Sequence, residues 1–483
     1  MPADSTLRRP GQSRFWMILA VLVIAELTCA LETSMISVAL AHLYGLYGDP
    51  VRVTWLITAY SLTAAGTVAI CSRLGDLYGR RRMLMVMLVL AATGSLTSAF
   101  ASDLNVIIFG RALQGASMAI LPLAFGILRE MAADKRQLNI GVGVLGGTYS
   151  FSTGTGIVLA GVIVDRADWQ DMFLLSAGVA IVALGLVWRT LAKDRPRTGA
   201  RGRADFIGGV GIVFPITALL LGLNSGKAEG WDSALTWSLI VGGLVTLAAW
   251  ATYELRHPNP MIDLRLLAVR QIAIVNLLIC VFTMGPLIYP QVLLPLLQQP
   301  LWTGVGLGIS ATLAGLVKAP TNLTAGVAAI SSGYLAQKLT FRPIIILATM
   351  ANLLAWLILI ARHDSIWLLV GVAVLLIAPA GTIIFGCAPS LIIEAAPEDR
   401  TSEATGMTSV LRSIAMAVGS QMLALTLASS QVINAEGVKY PDEQAYLATF
   451  IAVAACSVAA LICALLIPGG RRRATAPAPV VAG

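Results

Sequence analysis

The sequence predicts an all-α, polytopic membrane protein with about fourteen transmembrane helices and both termini in the cytoplasm. Three observations predict this class. Of the 483 residues, 57% are hydrophobic and only 12% are charged, which lies far outside the usual balance of soluble domains. A hydrocarbon core about 30 Å thick needs about 20 apolar residues per helix, and runs of that length recur along the chain. A polar turn, SRLGDLYGRRR from Ser72 to Arg82, returns in weakened form as GYLAQKLTFR from Gly333 to Arg342.

The repeated turn indicates two halves of six helices each. The first copy follows the second apolar run of the first six. If the second copy also follows the second run of its own set of six, two apolar runs remain between the two sets, so two further helices must lie between the halves. Inherited symmetry of this kind is typical of secondary transporters. The predicted segments are a cytoplasmic N-terminal segment (1–16), a six-helix half (17–192), a cytoplasmic linker (193–205), two inserted transmembrane helices (206–253), a second cytoplasmic linker (254–269), a second six-helix half (270–468) and a disordered cytoplasmic tail (469–483).

The individual helices follow from the apolar runs, because the polar segments between them cannot span. The linker from Lys193 to Asp205 reads KDRPRTGARGRAD and combines proline and glycine with several arginines. The first run is too long for the apolar part of a signal peptide, so it is predicted to be the first helix. The predicted helices lie near 17–41, 53–71, 83–101, 104–130, 138–164, 171–192, 206–223, 234–253, 270–297, 305–337, 342–361, 366–388, 403–430 and 445–467.

The charges follow the membrane rather than a nucleic acid. The net charge is +8, with 33 Lys and Arg. With the N-terminus in the cytoplasm, about 25 of these residues lie on the cytoplasmic side and about 5 on the other, as the positive-inside rule requires. We therefore expect no nucleic-acid partner. We expect a multi-pass monomer that contacts membrane lipids in the inner (plasma) membrane of a bacterium, a source that the excess of arginine over lysine favours.

Sequence patterns of enzymes and metal proteins are absent. The chain contains no Walker phosphate loop, no HExxH and no CxxC pair, and its three histidines are scattered among the connections. The six cysteines fall within or at the ends of apolar runs, where free thiols are expected. The sequence therefore predicts no catalytic residue, no metal, no cofactor and no ATP-driven transport.

The turn between helices two and three resembles the loop signature of the major facilitator superfamily, GxLaDrxGrr. The matching residues are Asp76, Gly79, Arg80 and Arg81, whereas Ser72 replaces the leading glycine. Gly79 suits a tight reversal, and Asp76 suits the positive end of a neighbouring helix. The resemblance implies that Arg80 pairs with an acid at the end of helix four, of which Glu130 is the nearest, to form a conformational latch. The alternative is a plain topology loop. The downstream copy has Gln337 in place of the aspartate, so the gating contact is predicted in the first copy.

Helix four supplies a second match. In RALQGASMA, three residues fit the superfamily pattern RxxQG: Arg111, Gln114 and Gly115. An arginine at the centre of a membrane helix costs about 2.5 to 3.5 kcal/mol on insertion scales, so Arg111 should face a cavity or a carboxylate rather than lipid. The resemblance assigns Gln114 and Gly115 to helix packing. Arg111 is predicted to take part in proton coupling or substrate binding. The alternative is that Arg111 serves helix packing alone.

Helix five resembles the antiporter signature GPxxGG only in part. The segment GIVLAG, from Gly156 to Gly161, has Ile157 where proline is expected and Ala160 where a glycine is expected. This departure leaves the direction of transport open. Gly143 and Gly147 form a GxxxG pair, and these two glycines together with Gly156 and Gly161 are predicted to permit close helix packing.

Helix one holds two acids within the hydrocarbon. Its sequence AELTCALETSMISVAL resembles the superfamily segment ldxTivnvALP, with Glu32 at the acidic position and Glu26 in addition. A rise of 1.5 Å per residue from residue 17 places them about 14 and 22 Å into a core about 30 Å thick. Six residues place them about 120° apart around the helix, so they can have different roles. Burial favours the neutral acid, which suits proton coupling or substrate binding. The alternative is a structural ion pair with Arg111 or Lys318.

Two further basic residues lie inside predicted helices. Lys318 stands in GLVKAPTN of helix ten, where the superfamily generally has apolar residues. It is predicted to bind an anionic headgroup or substrate, or to neutralise a glutamate across a central cavity. Arg412 resembles the arginine at the start of helix thirteen and is assigned to helix packing.

Together these matches resemble the fourteen-helix drug:proton antiporter branch of the major facilitator superfamily. The resemblance implies two six-helix halves that rock around a central cavity and export drugs or other amphiphilic small molecules in exchange for protons. One alternative is transport of a lipid or an amphiphilic metabolite. Another is a membrane sensor that does not transport. The sequence leaves the substrate and the proton-carrying glutamate open.

Overall fold

The computed structural model describes residues 12–192, 205–257, 260, 264–338, 340–397, 401–434 and 439–468. Within these residues the chain is almost entirely helical. The one sheet in them is a hairpin of β1 (Gln431–Ile433) and β2 (Lys439–Pro441), which pair antiparallel with Val432 opposite Tyr440. The all-α class predicted from the sequence is therefore confirmed.

The helices of the first half are α1 (Gln12–Tyr47), α2 (Pro50–Tyr78), α3 (Arg80–Phe100), α4 (Leu104–Gly115), α5 (Ile120–Met131), α6 (Lys135–Arg166) and α7 (Asp171–Thr190). A 3-10 turn at Ala116–Ala119 joins α4 to α5. The inserted region contains α8 (Phe206–Gly211), α9 (Val213–Ala228) and α10 (Ala234–Arg256).

The helices of the second half are α11 (Arg270–Met284), α12 (Tyr289–Gln298), α13 (Ala311–Lys338), α14 (Phe341–Ala361), α15 (Ile366–Val372), α16 (Ala378–Ala395), α17 (Thr401–Leu427) and α18 (Glu443–Leu466). Short 3-10 helices lie at Leu264–Ala268, Pro286–Ile288 and Leu301–Thr303, and a π-helix at Ala373–Ile377 joins α15 to α16. The predicted single helix at 270–297 is thus broken at Gly285 and Pro286, where proline removes a backbone donor.

Local sequence explains where several helices begin. Asp49 accepts hydrogen bonds from the backbone N–H groups of Val51 and Arg52, and Pro50 occupies the first helical position of α2. Such a cap satisfies donors that the helix itself leaves free. The side chains of Asp103, Asp134 and Asp442 cap α4, α6 and α18 in the same manner.

Eleven helical segments in the described part of the chain are long and apolar enough to cross a membrane. This finding supports a multi-pass membrane protein. The predicted total of fourteen needs three further crossings, which α2, α13 and the α8–α9 pair would supply, and it stays a prediction.

The apolar cores of the two halves form one shared cluster at one end and two largely distinct clusters at the other. The exterior cluster combines residues of both halves, among them Leu40, Leu43, Phe173, Leu294, Leu297 and Trp356. At the opposite ends of the helices, one cluster contains first-half residues such as Phe15, Leu84 and Leu128. Another consists mainly of second-half residues such as Ile279, Ile345 and Ile384. In the predicted orientation, the shared cluster lies towards the exterior.

Candidate functional site

The two glutamates of α1 are both buried, with 0% of Glu26 and 2% of Glu32 exposed. Glu32 is held by hydroxyl groups of neighbouring segments. Ser95 Oγ of α3 donates to its Oε1 at 3.3 Å, and Ser117 Oγ donates to its Oε2 at 2.5 Å. Ser117 belongs to the 3-10 turn between α4 and α5. The Glu32 carboxyl group is therefore fixed in place by two donors.

Arg111 joins α4 to α1 and α2 and lies 1% exposed, inside the protein as expected. Its Nε donates to the carbonyl oxygen of Leu56 at 3.0 Å. Its Nη1 donates to the carbonyl oxygen of Glu32 at 2.9 Å and to Gln114 Oε1 at 2.7 Å. Gln114 Nε2 in turn donates to Ser95 Oγ at 2.6 Å. One network thus connects both sequence-predicted helix-four residues to Glu32.

Tyr60 of α2 contacts both Arg111 and the hydroxyl groups beside Glu32. The Arg111 guanidinium carbon lies 4.6 Å from the centre of the Tyr60 ring, a cation–π distance. The Tyr60 hydroxyl lies 3.1 Å from Thr33 Oγ1 and 3.5 Å from Ser117 Oγ. Sequence reasoning missed Ser95, Ser117 and Tyr60, because spacing along one helix does not tell which residues of another helix face it. Ser117 alone carried a signal, since it stands within the segment RALQGASMA.

Glu26 occupies a different environment from Glu32. In the part of the chain that the structure describes, neither of its carboxyl oxygens has a hydrogen-bond partner, and both oxygens are buried. Among the described residues, no salt bridge joins Glu26 or Glu32 to Arg111 or Lys318. The structural ion pair that the sequence left open is therefore not formed in this conformation. In the same residues, no group of three or more His, Cys, Asp or Glu side chains is placed to hold a metal ion.

The two basic residues of the second half lie against aromatic rings. Lys318 is 4% exposed, and its Nζ lies 5.8 Å from the centre of the Tyr289 ring. The Arg412 guanidinium carbon lies 5.7 Å from the centre of the Phe385 ring, which links α17 to α16. This contact is compatible with the packing role predicted for Arg412.

The turn between α2 and α3 contains the expected pair of Arg80 and Glu130. Arg80 Nη1 lies 3.1 Å from Glu130 Oε1 and donates to the carbonyl oxygen of Gly126 at 2.5 Å. Any Cβ atom at Gly126 would come within 2.5 Å of Arg80 Nε, so the glycine makes room for the guanidinium. The side chain of Asp76 lies outside the described residues, and its latch role stays a prediction.

The second copy of the turn repeats one contact of the first. Arg81 Nη2 donates to the carbonyl oxygen of Trp188 at 2.7 Å, at the end of the last helix of its half. Arg342 Nη2 donates to the carbonyl oxygen of Leu465 at 2.9 Å, at the end of α18. Both arginines therefore satisfy carbonyl groups that a helix end leaves free.

Gly79 is required by its backbone conformation. Its φ of 109° and ψ of 128° lie in a region that residues with a Cβ atom rarely adopt. We expect Gly79→Ala to lower the free energy of unfolding by about 1 to 3 kcal/mol because of this strain. Gly178→Ala in α7 is the matched control, since a Cβ atom added there would have no neighbour within 4 Å. Thermal unfolding in detergent compares the two, and equal melting temperatures would contradict the prediction.

Three of the predicted packing glycines lie at close helix contacts. A Cβ atom at Gly115 would overlap the carbonyl oxygen of Tyr60, and one at Gly156 would overlap Ser34 Oγ. At Gly161 it would lie 2.5 Å from the carbonyl oxygen of Ala311, across the two halves. The packing role predicted for Gly143 and Gly147 stays a prediction. In this conformation, a Cβ atom added at either position would meet none of the described residues within 4 Å, because this part of α6 borders open space.

Comparison with known proteins gives relatives that are named as exporters. The family model described as Major Facilitator Superfamily matches residues 22–420. The multidrug transporter protein MdtP of Bacillus subtilis (strain 168) is 27% identical over 337 residues, which cover 69% of this chain and 61% of the relative. The cephamycin export protein CmcT of Amycolatopsis lactamdurans is 31% identical over 273 residues, 55% of each chain. The chain thus spans roughly three fifths of the length of these curated relatives.

Solved structures share the fold at low sequence identity. A peptide transporter of the POT family in complex with sulfate superposes with a TM-score of 0.68 and 16% identity, covering 93% of both chains. A mutant of the nucleoside transporter NupG gives a TM-score of 0.63 at 10% identity, with 93% of this chain and 99% of that chain covered. These structures show the fold, and the family match over most of the chain leads to one conclusion: this multi-pass membrane protein belongs to the Major Facilitator Superfamily.

Proposed function

We propose that this transporter exports drugs or other amphiphilic small molecules by antiport with protons. The observation that carries the proposal is the contrast between the two acids of α1. Glu32 is fixed by Ser95 and Ser117, whereas both oxygens of Glu26 are buried without a partner. Glu26 is therefore the proposed proton carrier, and Glu32 organises the network around Arg111.

The environment of Glu26 suits the protonated acid. An ionised carboxylate that is cut off from water and has no hydrogen-bond donor is strongly unfavourable, whereas a neutral carboxyl group is tolerated. A change of conformation that brings water or substrate to Glu26 would favour loss of the proton. Protonation and substrate binding then exclude each other, which is the linkage that antiport needs.

The structure corresponds to a conformation open towards the cytoplasm in the predicted orientation, because the shared apolar cluster lies at the exterior ends. Polar contacts between the halves reinforce this exterior closure. Asp165 of α6 accepts hydrogen bonds from the backbone N–H groups of Ala311 at 3.0 Å and Thr312 at 2.7 Å, at the start of α13. Gln298 Nε2 donates to the carbonyl oxygen of Val38 at 3.1 Å. These contacts must break in the outward-open state.

Weakening the Asp165 contact should shift the protein towards the outward-open state. Asp165→Asn replaces one acceptor oxygen with an amide donor, so we expect a shift of about fivefold, or ~1 kcal/mol. Labelling of Ala41→Cys by an impermeant maleimide reports the shift, because Ala41 borders the exterior cleft next to Asp165. Asp168→Asn is the control, since this exposed side chain lies three residues after Asp165, beyond the end of α6. Equal labelling rates in both variants would argue against the closure.

Export itself is tested in vesicles that contain the purified protein and a fluorescent amphiphile. An imposed pH gradient should drive accumulation of the probe, and an uncoupler should abolish it. If the rate of probe movement did not depend on the pH gradient, the result would contradict antiport and favour facilitated diffusion. The proposal also places the protein as a monomer in a bacterial inner membrane with both termini in the cytoplasm, in the orientation that the positive-inside rule favours.

A further inference from the structure

Lys318 is a buried cation without an acid. It is 4% exposed, and among the described residues neither a carboxylate nor any other acceptor lies within hydrogen-bond distance of its ammonium group. Within the described part of the chain, its ammonium group faces the Tyr289 ring, whose centre lies 5.8 Å from Nζ. The Tyr289 hydroxyl is itself held, because it donates to Thr321 Oγ1 at 3.3 Å. Nζ is not fully enclosed, so an anionic partner can reach it and offset the cost of holding a charge inside the protein.

Lys318 lies on the face of α13 that packs against α6. Ala311, Gly315, Lys318 and Asn322 recur every three or four residues and so share one side of the helix. Three of these positions contact α6 directly. A Cβ atom at Gly161 would lie 2.5 Å from the carbonyl oxygen of Ala311, one at Gly315 would lie 2.9 Å from that of Ile157, and one at Gly154 would overlap Asn322 Nδ2. The facing stretch of α6, from residue 151 to 164, contains no acid.

A second unpaired donor lies one turn further along the same face. Asn322 Nδ2 is buried and has no hydrogen-bond acceptor. An ammonium group carries three donors and no acceptor, and the amide nitrogen adds two more. The Lys318 ammonium and the Asn322 amide nitrogen are thus two donor groups without acceptors at the junction of α6 and α13. Donors of this kind suit an anion with several oxygen acceptors and do not suit a cation.

We propose that Lys318 and Asn322 bind the anionic group of the exported molecule, so that the substrate class is a soluble amphiphile with a carboxylate or sulfonate. The inference rests on the proposed export function. The anionic group would accept from Lys318 Nζ and Asn322 Nδ2, while the Tyr289 ring contacts the apolar part. Because α6 and α13 belong to opposite halves, rocking of the halves would make and break this site during each cycle.

The test measures equilibrium binding by calorimetry to the full chain in nanodiscs of zwitterionic lipid, without a pH gradient. The probes are naphthalene-2-sulfonate and the 2-naphthyltrimethylammonium cation, which share the ring and differ in charge. Lys318→Met should weaken sulfonate binding about tenfold or more and leave cation binding unchanged, whereas Lys318→Arg should stay within about threefold of the parent. Lys439→Met, at an exposed site in β2, is the matched control.

Asn322→Asp keeps the inference testable if Lys318→Met folds poorly. The new carboxylate would stand on the same face as Lys318 and pair with it, so sulfonate binding should fall about tenfold or more without a loss of thermal stability. Equal binding of the two probes to the parent protein, or unchanged sulfonate binding in both variants, would overturn the proposal. Displacement of the sulfonate by added phosphatidylglycerol would also overturn it and assign the site to a lipid headgroup. If the parent protein bound the sulfonate selectively but showed no gradient-driven flux, the result would contradict the proposed export function and leave the anion site standing.

Discussion

Glu26→Gln is expected to abolish proton-driven export while the protein still folds and inserts. Glutamine has the shape of the neutral acid, and the carboxyl oxygens it replaces have no partner to lose. It cannot release a proton, so the linkage between proton and substrate disappears and gradient-driven flux should fall about tenfold or more. Accumulation of a fluorescent amphiphile in vesicles with an imposed pH gradient measures the loss.

Glu394→Gln serves as the control for this experiment, because Glu394 is an exposed acid near the end of α16. It should transport at the parent rate. Full gradient-driven export by Glu26→Gln would show that Glu26 carries no coupling proton. If Glu32→Gln instead lost coupling while keeping the parent melting temperature, the roles assigned to the two glutamates would have to be exchanged.

Arg111→Met is expected to cause the largest loss of stability. The arginine is 1% exposed and donates to the carbonyl oxygens of Leu56 and Glu32 and to Gln114 Oε1. Methionine fills much of the volume but removes the Arg111 donor from all three buried acceptors. A hydrogen bond from a charged donor contributes about 1.5 to 3 kcal/mol, so we expect a loss of about 3 to 5 kcal/mol in total.

Thermal unfolding of the purified protein in detergent checks this prediction. Arg362→Met is the matched control, because Arg362 forms an exposed pair with Asp364 at 3.5 Å and such pairs contribute about 1 kcal/mol or less. Arg111→Lys should lie between parent and Arg111→Met, since one ammonium group does not reach acceptors on three sides. A parent-like melting temperature for Arg111→Met would contradict the network described for α1, α2 and α4.

The class of fold could be predicted because the membrane itself imposes long apolar runs and internally satisfied backbone groups. Helix positions follow from those runs to within a few residues. Two irregular segments could not be predicted, because the π-helix at Ala373–Ile377 and the 3-10 turn at Ala116–Ala119 contain no proline or glycine, unlike the break at Gly285 and Pro286. They depend on packing between helices, which a single segment does not contain.

The charged residues of the candidate site could be predicted from the sequence, but their contacts with one another and with other residues could not. An acid or a base inside an apolar run is conspicuous, so Glu26, Glu32, Arg111 and Lys318 stand out. Their partners are ordinary: Ser95 and Ser117 are small hydroxyl residues of a kind common throughout the chain. The spacing of Gly143 and Gly147 fits a packing motif, whereas the open surroundings of both positions in this conformation cannot be seen from spacing. Asn322 could not be predicted as a site residue, because one asparagine in an apolar run is common. Only the structure shows that its amide nitrogen lacks an acceptor.

The release of protons on substrate binding tests the central claim most directly. The purified protein is placed in weakly buffered solution with a pH-sensitive dye, and an amphiphile that shows gradient-driven flux is added. If Glu26 exchanges its proton for substrate, binding to the parent protein should acidify the solution, and binding to Glu26→Gln should not. Substrate binding to the parent without proton release, or equal release by both proteins, would contradict the account.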